Sequence, residues 1–166
     1  MQIDVEPALR NRAKTPHELF MVNLFAFHLL LTPALLALGV GEWGLLLPPS
    51  LSGLVIGCTY LRARSPGSGL PWFVGAHWRL ALKRYKLLLI AYGVTAAIML
   101  LGWWATTGIA RHETQEIMLT VLTRIGVMPT LVMVFVTAVL ESGGIYQAGR
   151  GEVPDDIARA YPPPDA

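Results

Sequence analysis

Residues 15–40 read TPHELFMVNLFAFHLLLTPALLALGV. Thr15 is a capping residue, Pro16 suits the first helical position because its missing N–H would be unpaired there, and Glu18 completes a capping box. A helix is therefore expected to start at Thr15–Glu18. Leu19 to Val40 contains no charged residue; about 22 residues of helix extend roughly 33 Å, enough for a bilayer core of about 30 Å. Arg10, Arg12 and Lys14 precede the run as they would in a signal peptide. The run exceeds the roughly 7–15 residues of such a segment, and no small-x-small cleavage pattern follows, so it is read as a retained span.

Three more apolar runs follow, at about 45–61, 87–109 and 117–140. Gly39-Val40-Gly41-Glu42-Trp43-Gly44 reads as a tight turn before the second run, with Trp43 at the level of interfacial aromatics. Pro48-Pro49 falls near the start of that run, where the first N–H groups lack helical partners. A helix starting only at Pro49 would be short for a crossing, which makes this the weakest of the four. The composition agrees with a membrane protein: 54% hydrophobic, only 14% charged, mean hydropathy +0.51, against about 25% charged in soluble domains.

The basic residues lie between the runs. Arg10, Arg12 and Lys14 precede the first, and none lies in the first turn. Arg62, Arg64, Arg79, Lys83, Arg84 and Lys86 fill the central loop; Arg111 alone lies in the third connection, and Arg150 and Arg159 in the tail. By the positive-inside rule both termini and the central loop are cytoplasmic, so the expected location is a bacterial inner membrane, multi-pass, N-in and C-in. The same flanking pattern argues against nucleic acid as the reason for the net charge of +2. The expected fold is an all-α integral membrane four-helix bundle made of two transmembrane hairpins. A cytoplasmic N-terminal segment spans 1–15, the membrane domain 16–141 and a cytoplasmic tail 142–166.

The central loop opens with the breakers Ser65-Pro66-Gly67-Ser68-Gly69. Trp72 and Trp78 with Arg79, Lys83, Arg84 and Lys86 then suggest a basic interfacial helix at about 70–85 between spans 2 and 3, holding lipid headgroups or fixing depth. Membrane lipids are thus expected partners.

Arg124 lies about seven residues inside the fourth run, where an arginine costs at least about 2.5–3.5 kcal/mol unless it faces protein or water. On a helical wheel Glu116, Thr120, Thr123, Arg124, Thr130, Thr137 and Glu141 share a sector about 140° wide. This stripe is read as a helix seam or as a contact with another chain. His28 stands at a similar depth in the first run, so it is expected to accept a hydrogen bond from Arg124. Gly53 and Gly57 form a GxxxG pattern, and Gly93 with Ala97 a small-xxx-small match that could pack against it, within the subunit or against a neighbour.

Catalytic and metal signatures are absent from the sequence. There is no P-loop, G-x-S-x-G, H-E-x-x-H or dinucleotide fingerprint, and the single cysteine, Cys58, excludes a Cys-x-x-Cys pair. No catalytic or metal-binding residue is assigned. The expected function is a non-catalytic accessory or assembly subunit of a larger inner-membrane complex, with other membrane subunits or a second copy as partner. Two alternatives are a small carrier or channel using the Arg124 stripe, and a haem- or quinone-binding subunit at His28 or at His77 and Trp78. Haem ligation by two histidines would need a second histidine at membrane depth, and His17, His77 and His112 lie near interfaces.

Overall fold

The computed structural model describes residues 1–64, 70–109 and 111–164, the side chain of Glu42 excepted. The breaker run 65–69 lies outside the described residues, as do Ala110 and the last two residues of the tail. Helix α1 (Pro7–Asn23) runs through a π-helical segment (Leu24–Leu31) into α2 (Thr32–Ala37). After a 3₁₀ turn (Glu42–Leu46) come α3 (Leu47–Arg64), α4 (Trp72–Thr106), α5 (His112–Gly126), α6 (Met128–Arg150) and α7 (Asp155–Ala160). Four helical stretches are long and apolar enough to cross a membrane: Pro7–Ala37, Trp43–Arg64, Trp72–Thr106 and His112–Arg150.

The first, third and fourth stretches hold 31, 35 and 39 residues. At 1.5 Å per residue they measure about 46–58 Å, well over a bilayer core of about 30 Å. The surplus collects at the end carrying both termini, where α1, α4 and α6 pack on one another. The expected pair of hairpins is therefore a three-helix core, with α3 and α5 laid against α4 from the sides.

Several boundaries move for local reasons. The first helix starts at Pro7, not at Thr15–Pro16, because Pro7 takes the first helical turn and Ala, Leu, Arg and Lys sustain the helix behind it. Pro16 sits inside α1 and is buried. The expected interfacial helix at 70–85 is the first part of α4, continuous with the span; no glycine or proline between Ala76 and Ala91 gives the chain a reason to turn. The fourth run is two helices meeting at Val127, since Pro129 cannot donate to the turn before it. α3 continues to Arg64, which supplies the length that Pro48-Pro49 threatened to remove. The turn before it forms as expected, with Gly39 and Gly41 at positive φ.

The π-helical segment has a clear cause and effect. Pro33 offers no N–H, and widening the preceding turns moves its ring away from the carbonyls behind it. Thr32 donates both its N–H and its hydroxyl to the Phe27 carbonyl. An i→i+5 winding stacks residues five apart, which brings His28 onto the buried face below Asn23.

Two apolar clusters result. One lies within the long apolar stretches around Phe20, Leu24, Tyr85, Leu88 and Val134, with the Phe20 and Tyr85 rings stacked 3.6 Å apart. The other lies in the terminal end around Ala13, Phe73, Val74, Leu80, Ala148, Val153 and Ile157. There α6 ends at Gly151, left-handed at φ 73, and the chain pairs back on the N-terminal residues through Ile3 N–H to Gly151 O and Val153 N–H to Met1 O. The tail expected from Ser142 is thus helix as far as Arg150 and then a folded clasp.

Glycines admit α5 to α4: a Cβ on Gly102 would stand 3.0 Å from Leu122, and one on Gly126 3.3 Å from Ile98. Gly53, by contrast, has nothing within 4 Å. Gly102→Val is expected to destabilise the protein by about 1–3 kcal/mol through overpacking, and Gly53→Val to cost far less, as measured by reversible unfolding in detergent.

A buried histidine–glutamate–arginine cluster as candidate functional site

Glu141 is completely buried. It sits on α6 where Gly144, one turn on, has no side chain; a Cβ there would meet His17 Nδ1 at 2.5 Å and Arg84 Nη1 at 2.6 Å. Into that space α1 brings His17 and α4 brings Arg84. His17 Nδ1 lies 2.5 Å from Glu141 Oε2. Arg84 Nη1 donates to Glu141 Oε1 at 3.3 Å and to the Leu140 carbonyl at 2.6 Å. The other nitrogen of His17, Nε2, lies 2.9 Å from Nδ1 of His77 on α4. His17 and His77 are both fully withdrawn from solvent.

Glu141 as a carboxylate only accepts, so His17 donates from Nδ1. His77 Nε2, the nitrogen turned away from His17, is buried beside the backbone of Glu152. Burial first, and then proximity to His17, pushes the pKa of His77 down to about 3, against the opposing hydrogen bond to the Glu152 backbone. Because His17 uses opposite nitrogens for its two neighbours, the three side chains form a line rather than a cage, and no group of metal-ligating side chains is placed to hold an ion among the described residues.

A second polar group lies deeper. Asn23 Nδ2 donates to Ser52 Oγ at 3.0 Å, Tyr92 OH donates to the same oxygen at 2.9 Å, and Tyr92 also bonds His28 Nε2. His28 Nδ1 is 3.4 Å from the Asn23 carbonyl. Between the two groups, Tyr85 OH and Asn23 Oδ1 are buried without partners.

The residues singled out in the sequence are distributed differently. His28 and Arg124 are not brought together: His28 is buried and bonded to Tyr92, whereas Arg124 is exposed on the outer face of α5 with Glu116 and Thr120, Thr123 being half-buried. The stripe divides at the break between α5 and α6, so that Thr137 and Glu141 face the core while Arg124 faces outward. Haem ligation by His28 would require breaking its bond to Tyr92.

Gly53 and Gly57 are exposed and open, as are Gly93 and Ala97, so the two small-residue strips do not pack on each other. Four of the expected headgroup residues are engaged within the chain. Trp72 donates to the Tyr161 carbonyl, Arg79 lies over the Tyr161 ring, Lys83 pairs with Asp156 at 2.5 Å and Arg84 pairs with Glu141. Trp78 packs against the terminal cluster, and Lys86 remains exposed.

The Glu141 cluster escaped the sequence reading because its members are 60 and 124 positions apart. The available signal was depth: His17 and Glu141 stand at the same edge of their respective runs. Comparison with protein-family models, with curated proteins and with solved structures finds no match.

Removing one partner of the buried pair strands a charge, so Arg84→Met is expected to destabilise the protein by about 3–5 kcal/mol, read from denaturant unfolding in detergent. At the surface, the hydrogen bond from Lys83 holds the Asp156 carboxyl below its ordinary range. A lowered folded pKa stabilises above the unfolded value and is lost as pH falls through the folded one. The α7 segment is therefore expected to resist pepsin at the upper end of that enzyme's working range and to be cut as pH drops below the carboxylate range. Lys83→Ala should remove that protection at the higher pH as well.

Proposed function

We propose that this chain is a non-catalytic accessory or assembly subunit of a larger membrane complex, in a bacterial inner membrane with both termini and the Arg62–Lys86 region on the cytoplasmic side. The observation carrying the reading is the outward position of Arg124, Thr120 and Glu116 on α5. An arginine about seven residues inside an apolar run, making no ion pair within its own chain among the described residues, is stabilised by a facing carboxylate or polar seam on another protein. A second copy related by an axis along the membrane normal would set Arg124 against Arg124 at equal depth, so the partner proposed is a different chain. The open strips of Gly53 and Gly57 and of Gly93 and Ala97 are further faces on which a neighbouring helix could approach. The carrier alternative has less support, because a path along the stripe would run outside the bundle.

Gentle extraction from the native membrane, followed by native electrophoresis and mass spectrometry, is expected to yield a defined set of co-purifying subunits. Arg124→Leu should lower their recovery at least about tenfold, equivalent to about 1.4 kcal/mol of lost affinity, while the purified chain keeps its own melting temperature. A monodisperse, partner-free wild-type particle, or recovery unchanged in Arg124→Leu, would overturn the reading. Reporter fusions after Tyr161 and within residues 65–69 are expected to report the cytoplasmic side.

A further inference from the structure

We propose that the open side of the α3–α4 seam binds an anionic phospholipid, with its phosphate between Arg64 and Lys86 and an acyl chain along the seam. The inference rests on reading these helices as membrane spans. It is independent of the accessory-subunit reading, which is carried by α5. The register of the seam comes from one bond, Tyr92 OH to Ser52 Oγ at 2.9 Å. One turn toward the terminal end, Ile56 shares an apolar cluster with Tyr85 and Leu88, so the two helices run antiparallel. Counting in opposite directions from that bond sets Arg64 opposite Leu80 and Lys86 opposite Cys58. The two cations therefore differ in height by about 9 Å at 1.5 Å per residue, within joint reach of one headgroup through their long side chains.

Both side chains lie on the same side of the seam. Successive residues of a helix are turned about 100° apart. On α4, Arg84 bonds to α6, Tyr85 stacks on Phe20 of α1, and Lys86 is exposed on the next face round. Leu89 and Gly93 continue that face and are also exposed. On α3, Val55 packs into the cluster that α1 closes, whereas Gly53, Tyr60 and Arg64 turn the other way and are exposed. A Cβ on Gly53 or Gly93 would meet nothing within 4 Å. Helix α1 thus fills one side of the seam, and the other side is open from Gly93 to Arg64.

Charge selects the occupant. Arg64 and Lys86 stand just outside the apolar runs 45–61 and 87–109, at the depth of lipid phosphates. Neither forms an ion pair among the described residues. Lys83, a turn earlier on α4, is already paired with Asp156. The Arg64 guanidinium lies 4.7 Å over the Tyr60 ring and donates Nη1–H to its hydroxyl at 2.9 Å. That contact directs the guanidinium and leaves its other N–H groups for a phosphate. Beyond the cations the face is apolar, with Leu89 47% exposed. A free anion would use the cations alone, and an apolar helix of another protein would leave both charges unanswered. A phospholipid answers both, so one of the faces open to a neighbouring helix is assigned to a lipid.

The test is native mass spectrometry of the purified chain released from mixed phosphatidylglycerol and phosphatidylcholine bilayers. Wild type is expected to retain phosphatidylglycerol in preference to phosphatidylcholine. Arg64→Gln and Lys86→Gln should each lower that retention about fivefold, and together about twenty-fivefold, from the strength of one basic residue at an anionic surface. Arg12→Gln, which removes an exposed cation of the terminal end, should leave retention unchanged. Gly93→Leu, which fills open space, should lower phosphatidylglycerol retention with both cations intact. All these positions are exposed, so each variant is expected to keep the wild-type melting temperature in lipid-free detergent. In native membranes a photo-reactive Gly53→benzoylphenylalanine is expected to label lipid. Equal retention of the two lipids, an equal loss in Arg12→Gln, no loss in Gly93→Leu, or a protein cross-linked from position 53 would each overturn the proposal.

Discussion

A carboxylate with no access to water is the constraint around which the terminal half of this protein is organised. Ionised Glu141 would cost several kcal/mol to bury alone, and two donors from two other helices offset that cost: His17 Nδ1 from α1 and Arg84 Nη1 from α4, with Arg84 also tied to the carbonyl of the residue preceding Glu141. Each donor belongs to a different helix from its acceptor, or bridges two, so the cluster fixes the rotation and height of α1 and α4 against α6. Apolar packing would tolerate slippage among these helices far better than a bond at 2.5–3.3 Å does.

That clamp explains why the helices exceed the length of a membrane span. The long α1, α4 and α6 carry their polar junction beyond the apolar runs, into a terminal end with its own core of Phe73, Val74, Leu80, Val153 and Ile157. The clasp between the N-terminal residues and Gly151–Val153 closes that core, and α7 is held to α4 by Lys83 and Asp156. Residues that resemble a lipid-binding set in the sequence are used to pin the tail. The opposite half is built more loosely: α5 buries only Gly126 and touches its neighbours chiefly through the Gly102 and Gly126 contacts. The protein thus divides into a rigid terminal end with buried ionisable groups and a far end presenting polar side chains outward.

The comparison of His28 with Arg124 shows where sequence reasoning fails in a protein built of long apolar helices. Counting residues from the end of a span gives height with useful accuracy, because the rise per residue is fixed. It gives no azimuth around the bundle, and azimuth decides contact. Two local irregularities altered it further: the π-helical turns before Pro33 rotated His28 toward Tyr92, and the break before Pro129 separated the outward Arg124 from the inward Glu141. The same height count applied to His17 and Glu141 would have found the cluster.

The sequence by itself determined that the chain is helical, that four of its stretches are long and apolar enough to cross a membrane, and that its basic residues gather between them. Those properties follow from local hydrophobicity and length, which no distant contact can change. Only the tertiary structure decided which ionisable groups share a buried site, which face of α5 is open, and that the basic start of α4 holds the tail. These depend on helix rotation and on pairings between residues 57 to 124 positions apart. Rotation is set by where glycines let backbones approach and where prolines break the turn, and it becomes definite only when all the helices are packed together.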